Sequence, residues 1–228
     1  QTGLFRGESS FIDWREQSYP VWAQPADIYM SECLGTNAAY YGVLKVMEDM
    51  ATVLGKKKDV KKYGQKAEAL KKAINDNFWV EEDGYYASYL YGRQNLTRTQ
   101  QSETLGESFC VLFGIADEER AAKVISSMPV GEFGPPIFSP QIVSQPDYHN
   151  NGVWPYVTSF WGKAAAKVGN ETALMHALAC NVRTASIYAT NYENYSFNTG
   201  NPYTTQINSP NMLWGLSGFM GLFHRTFF

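Results

Sequence analysis

Two stretches of this 228-residue chain carry side chains able to do acid–base chemistry. Asn191-Tyr192-Glu193-Asn194-Tyr195-Ser196 sets one carboxylate among aromatic rings and amides, and an Asn-Thr-Gly-Asn-Pro turn follows at 198–202. Near the other end, Phe5-Arg6-Gly7-Glu8-Ser9-Ser10-Phe11-Ile12-Asp13-Trp14-Arg15-Glu16 is acidic and aromatic together. Two carboxyl groups on opposite sides of a sugar ring, roughly 6.5–9.5 Å apart, suffice to hydrolyse a glycosidic bond with inversion: one protonates the leaving oxygen, the other activates a water. Phe11, Ile12 and Trp14 would desolvate Asp13 and raise its pKa, as an acid requires, so Asp13 is the first candidate for that role. Glu16 is its rival and Glu8 the third choice. A structural cluster of these carboxylates with Arg6 and Arg15 is the non-catalytic reading. Glu193 is the candidate base, against a surface carboxylate that only braces a turn.

Composition narrows the partners. Charged residues are 18% and the net charge is -3, which argues against a nucleic-acid surface. Lys56-Lys57-Lys58, Lys61-Lys62 and Lys71-Lys72 fall on a segment of helical composition and read as a solvated face. No apolar run reaches membrane-spanning length, so no insertion is expected. Cys33, Cys110 and Cys180 are far apart and lack a metal-ligand spacing; neither a metal nor another cofactor is expected, and Cys33 and Cys180 read as small core residues. Aromatics at 15% lie largely in polar, Gly- and Asn-containing stretches, which suits stacking on sugar rings as well as a Tyr- and Trp-rich core. Trp14, Trp22, Trp154 and Tyr195 are the stacking candidates. Arg6, Gln24, His149, Asn150 and Asn151 are the candidates for holding hydroxyls. Trp161 and Trp214 sit inside helical patterns and read as core; His176 and His224 read as incidental. Asn95, Asn170 and Asn194 each open a glycosylation sequon, the last of them inside the proposed site.

The elements that must position these groups are mostly helices. Residues 1–27 read as loop. Apolar periodicity predicts helices at 31–54, with Gly55 as the stop, and at 57–78. Asp83-Gly84 between aromatic and β-branched residues predicts a hairpin. Further helices are expected at 102–113, at 118–128 capped by Asp117, at 154–168, at 171–190 and at about 211–223. The segment 131–148 holds four prolines and reads as a long loop. Seven helices paired as hairpins suit an all-α toroid with short β-hairpin insertions, and Gly215, Gly218, Gly221 and Ala164-Ala165-Ala166 suit close helix approach. An open helical array predicts the same pattern.

Four stretches, in order, resemble the inverting glycosidases of the six-hairpin (α/α)6 type, nearest to glycoside hydrolase family 63 and its trehalase-like relatives. Phe109-Cys110-Val111-Leu112-Phe113-Gly114-Ile115-Ala116 is similar to a helix ending in Phe-Gly-Ile-Ala. Gly134-Pro135-Pro136-Ile137-Phe138-Ser139-Pro140 is similar to a Gly-x-Pro-x-x-Ser-Pro loop. Tyr148-His149-Asn150-Asn151-Gly152-Val153-Trp154-Pro155 resembles Tyr-Trp-Arg-Gly-Pro-Val-Trp-Pro, with His149-Asn150-Asn151 in place of Trp-Arg-Gly. Residues 191–202 resemble the segment bearing that group's general base, with Asn201 in place of its final Glu. The resemblance implies hydrolysis of α-linked oligosaccharides by Glu193 as base and Asp13, at the family's acidic position, as acid, without a cofactor. It also implies one toroid domain over 1–228 that is the C-terminal portion of a longer, periplasmic or secreted protein whose preceding part packs against it. A sugar-binding toroid without chemistry, a ligand-free helical scaffold, and a phosphorylase or lyase are the other classes. A phosphorylase wants a basic phosphate pocket, for which these motifs supply only Arg6 and Arg15.

Overall fold

The computed structural model describes residues 2–7 and 19–228. It contains helices α1 (Pro25–Met30), α2 (Leu34–Val53), α3 (Lys57–Phe78), α4 (Thr104–Leu112), α5 (Glu118–Ser127), α6 (Pro155–Lys167), α7 (Glu171–Tyr188) and α8 (Leu213–Phe227). The strands are short: β1 (Glu32–Cys33), β2 (Trp79–Val80), β3 (Tyr85–Tyr86), β4 (Tyr89–Tyr91), β5 (Thr97–Arg98), β6 (Ser102–Glu103), β7 (Phe138–Ser139), β8 (Gly152–Val153) and β9 (Tyr195–Ser196). All pair antiparallel, as β1-β4-β5, β2-β3, β6-β7 and β8-β9. The β2–β3 pair is the hairpin expected at Asp83-Gly84, with Trp79 opposite Tyr86.

Local chemistry explains the helix ends. Asp117 Oδ1 accepts from Arg120 N at 2.9 Å to start α5, and Asn170 Oδ1 accepts from Ala173 N at 3.0 Å to start α7. Pro155 at the first turn of α6 has no N–H to leave unsatisfied. Gly55 and Gly114, at φ 67° and 76°, stop α2 and α4 in the left-handed conformation that glycine adopts without strain. Three starts differ from expectation for one reason. Residues 32–33 pair with Leu90 and Tyr89, and 102–103 pair with Ser139 and Phe138, so α2 begins at Leu34 and α4 at Thr104. Gly152-Val153 pair with Ser196 and Tyr195, and Trp154 then caps α6 from an extended conformation. Residues 25–27, expected to be loop, open the short helix α1.

The helices form two rows. In the inner row α2 packs on α4, α4 on α6, and α6 on α8; α3, α5 and α7 return along the outside as the second arms of hairpins. This is the arrangement of an α/α toroid. Solvation follows from it. The outer helix α3 buries Ala67, Leu70, Ala73, Ile74 and Phe78 and leaves its lysines exposed or half-exposed. The inner helix α4 is buried from Thr104 through Val111, on all sides. Small residues permit the approach. A methyl on Gly162 would lie 2.8 Å from Ala177 Cβ and 2.9 Å from Leu222 Cδ2, and one on Gly218 would lie 3.3 Å from Tyr156 Cα. Trp161 is buried as expected, whereas Trp214 is 36% exposed and stacks on Tyr156 at 4.6 Å. It sits one residue into α8, at the row's end, where solvent reaches one side of the ring.

Where α2 meets α4, a Cβ on Gly106 would come within 2.9 Å of Gly35 N. The Glu103 carboxyl seals this contact. It accepts from Gly106 N at 2.9 Å and from the Leu105 amide, and a Cβ on Gly35 would come within 3.0 Å of it. One turn on, Glu107 Oε1 accepts from Tyr86 N at 2.8 Å. Glu103 and Glu107 are 2% and 1% exposed. Burial, which disfavours the charged form, lifts Glu103 to about 7 and Glu107 well above the ordinary carboxylate range, the latter helped by Glu103's proximity.

Two outcomes follow from this packing. Gly162→Ala gains about 1 kcal/mol of helix propensity but overpacks the α6–α7–α8 junction by about 1–3 kcal/mol, so a lower denaturant midpoint at unchanged m is expected. A raised midpoint would mean that the three helices are not in close contact. Both buried glutamates have folded pKa values above their unfolded ones, so each contribution is fully present below pH about 4.5 and is lost as pH rises through the folded value, which for Glu103 is about 7. Glu103→Gln should therefore flatten the loss of stability between pH 5 and 8, read from thermal midpoints across that window.

Candidate active site

The inner helices α2, α4 and α6 each begin directly after a short strand, and α8 begins after the loop 189–212, so their N-terminal ends gather the loops that bear the candidate residues. The β8–β9 pair is the central stitch. Val153 lies opposite Tyr195 and Gly152 opposite Ser196, which brings the stretch 148–155 against the stretch 191–202. Phe197 N donates to Asn151 O at 2.7 Å just beyond it.

Glu193 sits half-buried at this junction. Tyr148 Oη donates to its Oε1 at 2.9 Å, and its own N–H is held by Ser209 O at 2.9 Å. The backbone around it is fixed by amides. Asn194 is fully buried; its N–H donates to Asn208 Oδ1 at 3.3 Å and its Nδ2 to Ile207 O at 3.1 Å. Asn208 Nδ2 in turn reaches Asn194 O at 2.7 Å and Pro202 O at 2.9 Å. With Asn194 Nδ2 engaged and the residue buried, the third sequon is unavailable to a glycan in the folded protein. Tyr195 is buried too. Its oxygen accepts from Tyr192 N at 3.2 Å, and its ring lies 5.7 Å from Tyr188. Burial pushes the Tyr195 and Tyr188 hydroxyls up, so both stay protonated near neutral pH.

The wall behind Glu193 is aromatic. Tyr148, His149 and Trp154 pack mutually with centroids 4.7–5.1 Å apart, Trp154 Nε1 donates to Tyr148 O at 3.0 Å, and Trp214 lies 5.6 Å from Trp154. His149 and Trp154 are buried within this wall. Asn150 is buried and braces its own loop, its Oδ1 accepting from Ile142 N at 2.7 Å and its Nδ2 donating to Ile142 O and Gln145 O at 3.1 and 3.0 Å. Asn151 Nδ2 donates to Asp147 Oδ2 at 2.9 Å.

The remaining candidates lie on the α2 side. Trp22 is 55% exposed and its ring lies 5.5 Å from Tyr91. Gln24 is exposed and its N–H donates to Asp27 Oδ2 at 3.1 Å at the start of α1. Arg6 is half-exposed and its Nε donates to Glu32 Oε1 at 3.3 Å. Glu8, Asp13, Trp14, Arg15 and Glu16 lie outside the described residues. Gln145 Nε2 donates to Tyr19 O at 3.0 Å, which ties the segment following residue 18 to the loop of the aromatic wall. The sequence marks Tyr148 and Asn194 only as members of the motif stretches, Asn194 also as a sequon, and gives no signal of the bonds that Asn208 and Glu32 make. Among the described residues no group of three or more His, Cys, Asp and Glu is placed to hold a metal ion, and no helix is long and apolar enough to cross a membrane. The three cysteines are buried thiols.

Comparison with known proteins places this geometry. The family model of the mannosylglycerate hydrolase MGH1-like glycoside hydrolase domain matches residues 14–214. Among solved structures, the neutral trehalase of Saccharomyces cerevisiae superposes with a TM-score of 0.68 at 13% identity, over 86% of this chain and 38% of the trehalase. A family-78 rhamnosidase of a Bacillus species superposes with a TM-score of 0.65 at 23% identity, over 96% of this chain and 21% of the rhamnosidase. The chain thus spans well under half the length of either structure, and both share its toroid fold. Comparison with curated protein sequences gives no match. With the family model covering most of its length, the chain belongs to the MGH1-like glycoside hydrolase domain family.

Proposed function

We propose that this domain hydrolyses α-linked oligosaccharides with inversion, Glu193 acting as the general base. The observation that carries the reading is the Glu193 carboxylate, half-buried at the inner-helix N-termini and oriented by Tyr148 at 2.9 Å with its backbone pinned on both sides. A base that activates water needs this fixed orientation. The general acid is assigned to Asp13, with Glu16 as the alternative. Of the candidate sugar contacts, the exposed Trp22 and the half-exposed Arg6 suit direct stacking and hydroxyl binding. Burial of His149, Asn150, Trp154 and Tyr195 supports a role in shaping the wall on which substrate rests. Exposed apolar residues at both ends of the inner row, Val43, Val46 and Met50 on α2 and Met220, Phe223 and Phe227 on α8, support packing against further helices of the same polypeptide.

The test follows the released sugar by proton NMR, with the intact protein and its Glu193→Gln variant, on α-mannosyl, α-glucosyl, α-galactosyl and α-rhamnosyl substrates. Product of inverted anomeric configuration from the unmodified protein is expected, and a loss of about a thousand-fold in the variant. Binding by both proteins without release by either would replace the enzyme by a sugar-binding toroid. Tyr148→Phe should lower kcat by about ten- to a hundred-fold with KM little changed, since a hydrogen bond to a charged group contributes about 1.5–3 kcal/mol. An unaltered kcat would remove Tyr148 from the positioning of the base.

A further inference from the structure

Beside the base candidate, the connection between α7 and α8 builds a step of four tyrosines that runs from the interior out to solvent. Tyr195, which is buried, lies 5.7 Å from Tyr188, the last residue of α7. Tyr188 meets Tyr192 at 5.8 Å and Tyr203 at 6.1 Å, both edge to face. Tyr192 and Tyr203 lie 5.7 Å apart, and Tyr192 Oη donates to Tyr203 Oη at 3.2 Å. That bond holds the Tyr192 hydroxyl above its ordinary pKa, so it is uncharged near neutral pH. Tyr203 is 73% exposed, yet its loop is fixed. Its N–H donates to Asn201 Oδ1 at 2.8 Å, and Tyr188 Oη donates to Gly200 O at 2.9 Å. Asn208 Nδ2 reaches Pro202 O at 2.9 Å and Thr205 Oγ1 at 3.1 Å, and the same nitrogen holds Asn194 O, next to Glu193, at 2.7 Å. One amide therefore sets the exposed ring of Tyr203 at a fixed offset from the base.

An exposed ring on a braced loop adds little to the core. It does offer solvent an apolar face whose order is already established, so a ligand that stacks on it loses little further freedom. Pyranose rings carry C–H faces that suit such a surface, and hydroxyls that suit amides and hydroxyls around it. Exposed Asn198, Thr199, Thr204 and Gln206 supply those. Charge selects among sugars. Glu193 is the sole charged residue in 189–212, and Gln206 N donates at 2.8 Å to the backbone of another acidic residue, Asp147. An anionic sugar would meet repulsion there and no cation on the loop. We propose that Tyr192 and Tyr203 form a second sugar subsite beside the base, for a neutral pyranose unit one or more places along the chain from the bond that breaks. The proposal rests on the glycosidase reading above and adds that the substrate is a neutral oligosaccharide reaching beyond the unit released.

The test compares the disaccharide and the tetrasaccharide of whichever sugar the panel above releases, in the intact protein and in Tyr203→Ala. Tyr203 is exposed enough that its truncation leaves the fold in place. The tetrasaccharide-to-disaccharide ratio of kcat/KM should fall about three- to ten-fold in the variant, through KM rather than kcat. Tyr203→Phe, which keeps the ring and removes the hydroxyl, should restore most of the ratio. An unchanged ratio in Tyr203→Ala, whether both lengths slow alike or neither slows, would overturn the subsite. An α-linked tetragalacturonate, the anionic probe, should compete more weakly than the neutral tetrasaccharide; equal competition would overturn the restriction to neutral sugars. If the intact protein releases no sugar at all, the glycosidase reading falls by itself. The subsite is then read by calorimetric titration of the same two lengths of each panel sugar. A preference for the longer chain that Tyr203→Ala removes would sustain it, and no preference would sink it.

Discussion

The contact between α2 and α4 at Gly35 and Gly106 is the constraint on which the remaining architecture rests. Two helix backbones meet there so closely that a single Cβ would fall within 2.9 Å of the opposite chain. The N–H groups at the start of α4 still need acceptors. Glu103 supplies them from a fully dry position, and the local field of the helix N-terminus favours negative charge there. Desolvation opposes that charge more strongly, and the group ends with a pKa of about 7. A solvated side chain would not fit between the helices. Once α2 and α4 are fixed, α4 is enclosed on all sides, and α6 and α8 continue the row through Gly162 and Gly218.

Enclosure of the inner helices decides where chemistry can be placed. A helix buried from Thr104 to Val111 offers no polar face to a ligand. Polar groups collect instead where the inner helices start and their connections surface. Those connections are long, and a long connection alone would position nothing. Two-residue strand pairs and side-chain amides replace regular structure there. Val153 opposite Tyr195 sets the register of the two motif loops, while the Asn208 side chain satisfies both the N–H and the C=O of Asn194, next to Glu193. Each bond contributes about 1 kcal/mol, and together they replace the freedom of the loop by one conformation.

The helices were legible because their apolar periodicity and end signals agree: Asp117, Asn170, Gly55 and Gly114 act in the structure as their residue types suggest. The hairpin at Asp83-Gly84 was legible for the same reason. The other strands are too short to show alternation, so 32–33 and 102–103 were absorbed into neighbouring helices. The base candidate could be read from the residue types around Glu193. The groups that hold it could not, because Asn208 and Tyr148 are ordinary residues until the fold brings distant loops together. Burial of charge was equally hidden. Nothing in the sequence marks Glu32, Glu103 and Glu107 as buried, and only their amide, hydroxyl and guanidinium partners make the dry positions tolerable.

Glu193 and the described N-terminal residues are held by different ends of the helix row. Glu193 belongs to the connection between α7 and α8, whereas Gly7 is fastened to the start of α2 through Ser31 and Cys33. These two fastenings are linked through the chain of helix contacts from α2 to α4, α6 and α8, with Gln145 to Tyr19 as a cross-tie. Inversion requires room for a water and a sugar between the two groups, a tolerance of roughly 3 Å. Each small residue in the row fixes one increment of the helix spacing. Under the proposed chemistry, the buried glycines and alanines of the inner helices would therefore serve the geometry of the site as well as the stability of the core.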